Sequence, residues 1–239
     1  PYYSSKTLEK VIHCSSTNNK SRVKLTLVDK IVIILEIATA LSDLHSNGIY
    51  HGNLSSQAIY ISSRNDAYLG GFSYYRNNEN QQTKPNGPFY YHSPEYFQRK
   101  EIKNIILLDV YSFGVLIHEI ITEVKLDTRF GNMNRDLRMQ NLINGYFNYL
   151  IKGEQNDYFK DDAYLIDQNG NCLIGLKEII EKCMKIDSNE RFSSFEEIID
   201  AIKSLTIYEA NKAEIDYRIE KAYDSRNFQC SVFNLVESF

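Results

Sequence analysis

Two stretches of this chain are apolar around most of a helix's circumference, and any domain that contains them has to be built around them. The first, residues 25–48, reads LTLVDKIVIILEIATALSDLHSNG. Val28, Ile31, Leu35, Ala38, Leu41 and Leu44 hold one helical face, and Ile33, Ile34 and Ile37 widen it. A helix apolar over so much of its surface belongs at a domain centre. Thr26 followed by Asp29 approximates a capping box, and Asn47-Gly48 supplies a left-handed exit. The second stretch, residues 105–122, reads IILLDVYSFGVLIHEIIT and predicts a second central helix. Neither reads as a membrane span: the apolar run around residues 31–41 is interrupted by Glu36 and is too short.

Shorter elements surround these two. Ser5 or Thr7 is placed to cap a short helix carrying Leu8, Val11 and Ile12. Residues 58–62 and 66–72 predict a hairpin across Ser63-Arg64-Asn65. Short helices are expected near residues 135–142 and 146–152, and a helix over 176–184 turns Leu176, Ile179, Ile180 and Cys183 inward. Ser193 with Glu196 reads as the capping box of a helix ending near Leu205. Beyond it, Ile207, Ala210, Ile215, Ile219 and Ala222 predict one more helix with a patchy apolar side. The fold class is mainly α with small β-hairpins.

Charge and cysteine usage narrow the partners. Lys+Arg 27 against Asp+Glu 31 gives a net charge of −4, which argues against nucleic acid or an anionic membrane as partner. Cys14, Cys172, Cys183 and Cys230 form no CxxC pair and share no metal-ligand spacing with the histidines, so they are read as scattered thiols of a cytoplasmic protein. Asp167-Gln168-Asn169-Gly170-Asn171 has the look of a calcium loop, but its spacing to a closing Glu is wrong and a turn is the better reading. The chain starts at Pro1 without Met or a secretory leader, so it is read as a fragment.

The chemistry-bearing motifs lie between and after the two long helices. His51-Gly52-Asn53-Leu54-Ser55-Ser56-Gln57-Ala58 leads into the hairpin, and Gly71-Phe72-Ser73 leaves it. Residues 76–86 are wholly polar and read as a surface loop. Gly87-Pro88-Phe89-Tyr90-Tyr91-His92-Ser93-Pro94-Glu95 follows, then Asp109-Val110-Tyr111-Ser112-Phe113-Gly114-Val115 in the second helix, then Asp187-Ser188-Asn189-Glu190-Arg191-Phe192-Ser193. In this succession, over residues 8–205, they resemble the protein kinase signatures: His-Arg-Asp-Leu-x-x-x-Asn, Asp-Phe-Gly, the Gly-Thr…Ser-Pro-Glu segment, Asp-Val-Tyr-Ser-Phe-Gly-Val and Asp-x-x-x-Arg-Pro-Ser/Thr.

The resemblance implies a protein kinase-like C-terminal lobe over residues 1–205, starting near the hinge, with the N-terminal lobe absent from this chain and residues 206–239 a helical extension. His51, Phe72, Glu95, Asp109 and Arg191 stand at positions that maintain the family fold. By that analogy Asp109 accepts hydrogen bonds from the catalytic-loop backbone, His51 stacks beneath the loop, and Arg191 forms a buried ion pair with Glu95, whose carboxylate matches the guanidinium fork. The positions that carry phosphoryl transfer have changed. Asn53 stands for the catalytic Asp, Ala58 for the metal-binding Asn, Gly71 for the metal-binding Asp, Gly52 for the loop Arg, Ser55 for the loop Lys and Pro88 for the Thr.

The resemblance therefore implies a catalytically inactive kinase-like domain with no ATP or magnesium cofactor, acting as a scaffold for a protein partner. The contact surface is expected around the activation segment and residues 123–152. The alternative is a weak or atypical ATP-binding protein kinase whose N-lobe is missing here, with His51, Asp66 or Asp109 substituting for the lost groups. A third reading is a decayed fragment whose exposed apolar top makes it prone to aggregate. Thr83, Tyr74 and Tyr75 are candidate phosphorylation sites, but with Gly52 in place of Arg the usual phosphate-pairing cation is missing.

Overall fold

The stretch that dominates the sequence is the axis of the fold. The computed structural model describes residues 6–13, 25–71, 87–95, 104–123, 125 and 174–224. In order these form β1 (Lys6–Thr7), α1 (Leu8–His13), α2 (Leu27–Ser46), β2 (Ile59–Ile61), β3 (Ala67–Leu69), α3 (Ile106–Thr122), α4 (Ile174–Cys183), α5 (Phe195–Lys203), α6 (Thr206–Ala210) and α7 (Lys212–Asp224). The described residues are thus mostly helical, with one three-stranded antiparallel sheet in the order β1-β2-β3.

Residues 30–38 of α2 are buried without interruption. Thr26 Oγ1 accepts the Asp29 N–H at 3.1 Å and Asp29 Oδ2 accepts the Thr26 N–H at 2.8 Å. Two amides that the helix cannot pair internally are satisfied reciprocally. At the other end Gly48, at φ +72°, turns the chain out of the helix. α3, α5, α6, α7 and the sheet all pack against α2. Lys30, buried on α2, donates through Nζ to the Ile121 carbonyl at 3.1 Å and pairs with Glu123 at 2.9 Å, so a cation from one central helix closes the C-terminus of the other.

α3 meets α4 at a residue without a side chain. A Cβ on Gly114 would lie 2.7 Å from Cys183 Cβ and 2.8 Å from Met184 Cγ. On the far side, Phe113 and Phe195 pack edge to face at 5.2 Å, and His45 of α2 packs on Phe195 at 5.1 Å. One aromatic cluster thus joins α2, α3 and α5.

Several expectations shift. The chain before α1 is not only a helix cap: Lys6 and Thr7 pair with Ile61 and Tyr60 as an edge strand, because β2 would otherwise present unpaired backbone. The last capping pair is one residue later than Ser193–Glu196. Ser194 Oγ accepts the Glu197 N–H at 3.3 Å, while the Glu197 carboxylate takes the Ser193 N–H at 3.1 Å and the Ser193 hydroxyl at 2.6 Å. Both frames exist in Ser193-Ser194…Glu196-Glu197, and burial of Phe195, Ile198 and Ile202 selects the second. Glu196 instead accepts from Ser42.

The single helix expected after Leu205 is two, α6 and α7, broken at Asn211. Tyr208 and Ile215 are the buried anchors, and Ala210 is exposed. The expected helices at 135–142 and 146–152 and the 167–171 turn lie outside the described residues. Among the described residues no helix is long and apolar enough to cross a membrane.

The α3–α4 contact leaves no room for a methyl group. Gly114→Ala is expected to lower the unfolding free energy by about 1–3 kcal/mol in urea denaturation, despite the better helix propensity of Ala.

Candidate functional site

The segment that leaves α2 is folded by α3. Asp109 lies in the first turn of α3 and is 1% exposed. Its Oδ2 accepts the His51 N–H at 2.9 Å and the His45 Nε2–H at 2.9 Å, and its Oδ1 accepts the Gly52 N–H at 2.9 Å. Burial alone would raise this carboxyl. The hydrogen bond and charge of His45, the field of His51 and the Gly52 N–H outweigh it and hold the group below its ordinary range. The grip also fixes Gly52 at φ +67°, where a side chain is strained.

His51 is fully buried. Its Nε2–H donates to the Gly70 carbonyl at 2.7 Å, and its Nδ1 accepts the Asn53 N–H at 3.3 Å. Burial lowers its pKa against the opposing pull of Asp109 and the Gly70 carbonyl, so the ring is held neutral. Both nitrogens are committed to the backbone, which ties the loop to the end of β3 and leaves neither ready to take a substrate proton.

The hairpin then brings positions 58 and 71 together. Ala58 O accepts the Gly70 N–H at 2.8 Å, continuing the β2–β3 ladder. Gly71 follows at φ +79°, and a Cβ built on it would stand 3.0 Å from Ala58 Cβ. The two positions at which the kinase resemblance expects metal ligands thus offer one methyl group between them. A magnesium ion takes oxygen ligands, and these residues do not fit one. Among the described residues no cluster of three His, Cys, Asp or Glu is placed to hold a metal.

Asn53 is half-buried, and its Oδ1 faces Gly87 so closely that a Cβ there would be 2.6 Å away. An amide at this place cannot serve as a base. Of the possible substitutes, Asp109 is saturated by donors and Asp66 is turned into the hairpin, accepting from Ser62 Oγ at 2.9 Å.

A second buried carboxylate was not legible as a site residue. Glu119, 1% exposed near the end of α3, accepts from Ser56 Oγ at 2.7 Å, Tyr91 OH at 2.5 Å and His13 Nε2 at 2.9 Å. The Tyr91 oxygen in turn accepts the Ser56 N–H at 3.2 Å. Burial, with the Glu119 charge behind it, raises the Tyr91 hydroxyl well above its ordinary value. The signal was available: Asp109 and Glu119 are the two acidic residues of α3, and each buried charge must find donors.

Arg191 and Glu95 lie 2.7 Å apart, with the Arg191 side chain wholly buried. The fork does not close on both carboxylate oxygens, and among the described residues Glu95 Oε2 has no hydrogen-bond partner. Arg191 spends its other donors on the carbonyls of Lys185 at 2.8 Å, Leu107 at 2.9 Å and Ile186 at 3.4 Å, and lies over the Tyr111 ring. Arg is needed here because it reaches several partners at once. Phe72, Thr83, Tyr74 and Tyr75 lie outside the described residues.

A buried α3 carboxylate holding the loop after α2, with a hairpin carrying the next motif, is the arrangement of a kinase-type domain. The chain belongs to the protein kinase family: residues 2–202 match the family model described as protein tyrosine and serine/threonine kinase. It is similar to the inactive serine/threonine-protein kinase TEX14 of Mus musculus, at 31% identity over 126 residues, covering 49% of this chain and 8% of that protein. A probable serine/threonine-protein kinase of Dictyostelium discoideum is 28% identical over 186 residues, covering 77% of this chain and 27% of that protein. The wall-associated receptor kinase-like 10 of Arabidopsis thaliana is 36% identical over 100 residues, covering 39% and 13%. The chain therefore spans well under a third of the length of each of these relatives.

Asp109→Ala leaves buried donors unpaired and is expected to cost about 3–5 kcal/mol of stability in chemical denaturation. The His51 ring is depressed from its ordinary 6.5, so its contribution is complete above that pH and is lost as pH falls through it. Between about pH 7 and about pH 5, His51→Gln is expected to lose less stability than the wild-type chain, read from paired urea curves.

Proposed function

We propose that this chain is the large lobe of a pseudokinase, a kinase-fold domain that transfers no phosphate and works by binding a protein partner. On this reading residues 1–205 are the kinase-like unit and 206–239 an extension carried with it, in a cytoplasmic protein. The observation that carries the proposal is the adjacency of Ala58 and Gly71, which together offer no side-chain oxygen to a metal ion. Phosphoryl transfer depends on positioning and on magnesium neutralising the phosphate charge. Losses at 53, 58 and 71 fall on one transition state, so they do not offset one another.

The scaffold residues support the same division. Asp109, His51 and Arg191 are each held by several hydrogen bonds, as residues that maintain the fold would be. TEX14 carries the word inactive in its own name, and the same reading is brought here as part of the proposal. The partner surface is assigned to the activation segment and to residues 123–152.

Thermal unfolding of the purified chain is the test, with millimolar ATP, with and without Mg²⁺, alongside transfer of labelled phosphate to the chain and to a generic basic substrate. No melting shift and no transfer are expected. A Mg²⁺-dependent shift, or incorporation that tracks added enzyme, would overturn the proposal. A shift without Mg²⁺ would replace a pure scaffold by a nucleotide-binding one.

A further inference from the structure

The stretch that matches the kinase family model ends at residue 202, yet the chain beyond it is seated on the central helix. α7 packs on α2, and so does the short α6 before it. Among the described residues of this extension Tyr208 and Ile215 are buried, and Ile207 and Ile219 pack against the same core. At the rim of the contact an Arg218 Nη1 donor lies 2.9 Å from Asp29 Oδ1. The other oxygen of that carboxylate accepts the Thr26 N–H at 2.8 Å and so closes the capping box of α2. The cap of its own helix therefore holds Asp29 in place without help from α7, and its second oxygen marks where a cation on a docked helix has to fall.

The extension is tied to itself. The Tyr208 hydroxyl donates to Asp216 Oδ1 at 2.6 Å, joining α6 to α7. Across the break between them Asn211 donates its N–H to the Tyr208 carbonyl at 3.0 Å, its side-chain amide to the Ile207 carbonyl at 2.8 Å, and accepts the Ile215 N–H at 3.0 Å. Attachment to α2 rests on a few apolar side chains and on the Arg218–Asp29 pair, which is partly exposed and so fixes position more than it adds affinity. Residues 30–38 of α2, by contrast, are buried without interruption. An element with its own internal bonds and few buried anchors opens as a unit ahead of the body it covers. On α7 the docked side reads Ile215-x-x-Arg218-Ile219, the i, i+3, i+4 spacing by which an amphipathic helix enters a groove.

We propose that the face of α2 rimmed by Asp29 is a helix-docking site whose occupant is residues 206–224 of the same chain, a clasp that leaves the site as one unit while the lobe stays folded. Ile215 and Ile219 supply the apolar anchors and Arg218 sets the register on Asp29. The site is self-occluded: a second helix of the same pattern gains it only when the resident one is weakened.

The test uses the full chain and a labelled synthetic peptide of residues 206–224. Ile215→Ala combined with Arg218→Ala in the full chain weakens the resident helix and leaves Asp29 and the α2 face as they are. In fluorescence anisotropy this variant is expected to bind the peptide at least about tenfold tighter than the wild type does. A peptide carrying the same two substitutions is expected to bind neither protein. Equal binding of the native peptide to both proteins, or binding to neither, would overturn the clasp. So would a wild-type dimer in light scattering that the double variant does not form, since the site would then belong to a second copy. Should the double variant fail to fold, amide hydrogen exchange of the wild type decides the matter. Amides of α6 and α7 are expected to exchange together and at least roughly tenfold faster than those of α2 and α3. Protection of α7 equal to that of α2 would sink the proposal.

Discussion

A carboxylate at the start of a buried helix survives only when hydrogen bonds replace the water it has lost. Asp109 has three such bonds, and two of them are backbone N–H groups of the loop that carries the candidate site. The dependence is mutual. Without the loop the charge keeps only His45, and without the charge the His51 and Gly52 amides lose their acceptor. His51 passes the constraint on to Gly70 at the end of β3, and His45 passes it back to α2. Both central helices, the loop and the hairpin are thereby held by one side chain.

Around this hub, further buried polar groups hold the fold together. Arg191, Glu119, Tyr91 and Ser56 are each buried and each engaged by several partners. At the positions that match the phosphoryl-transfer motifs of the kinase signatures stand uncharged residues: Asn53, Ala58 and Gly71. Gly52 and Gly71 hold left-handed backbone that a side chain adopts only under strain. Glycine adopts that backbone without the strain a side chain would bring.

Much of the fold was legible because burial leaves a periodic trace. α2 and α3 announced themselves by apolar residues on almost every side, and the inward set Leu176, Ile179, Ile180 and Cys183 of α4 followed from helical spacing. What escaped lacks such a trace. The strand Lys6–Thr7 is two residues long and exists by virtue of the edge it covers. The choice between Ser193 and Ser194 as cap is degenerate in the sequence and was decided by where Phe195 finds its pocket. Glu119 and Glu36 sit in apolar runs, where a lone acid is ambiguous until its donors are located in other elements.

The sequence by itself determined which side chains are present to do work: the helical cores, the order of the motifs, and the residues Asn53, Ala58 and Gly71 at positions where the kinase signatures carry Asp, Asn and Asp. The chemical groups along a chain are fixed by its sequence, and folding adds none to them. Only the tertiary structure decided which charges meet. That Asp109 holds three donors, that Glu119 collects donors from three segments, that Arg191 spreads over backbone carbonyls and that Glu36 accepts the Ala67 N–H all depend on distances across the chain. Electrostatic free energy inside a protein is set by the few ångströms around each group, and those neighbours come from residues far apart in sequence.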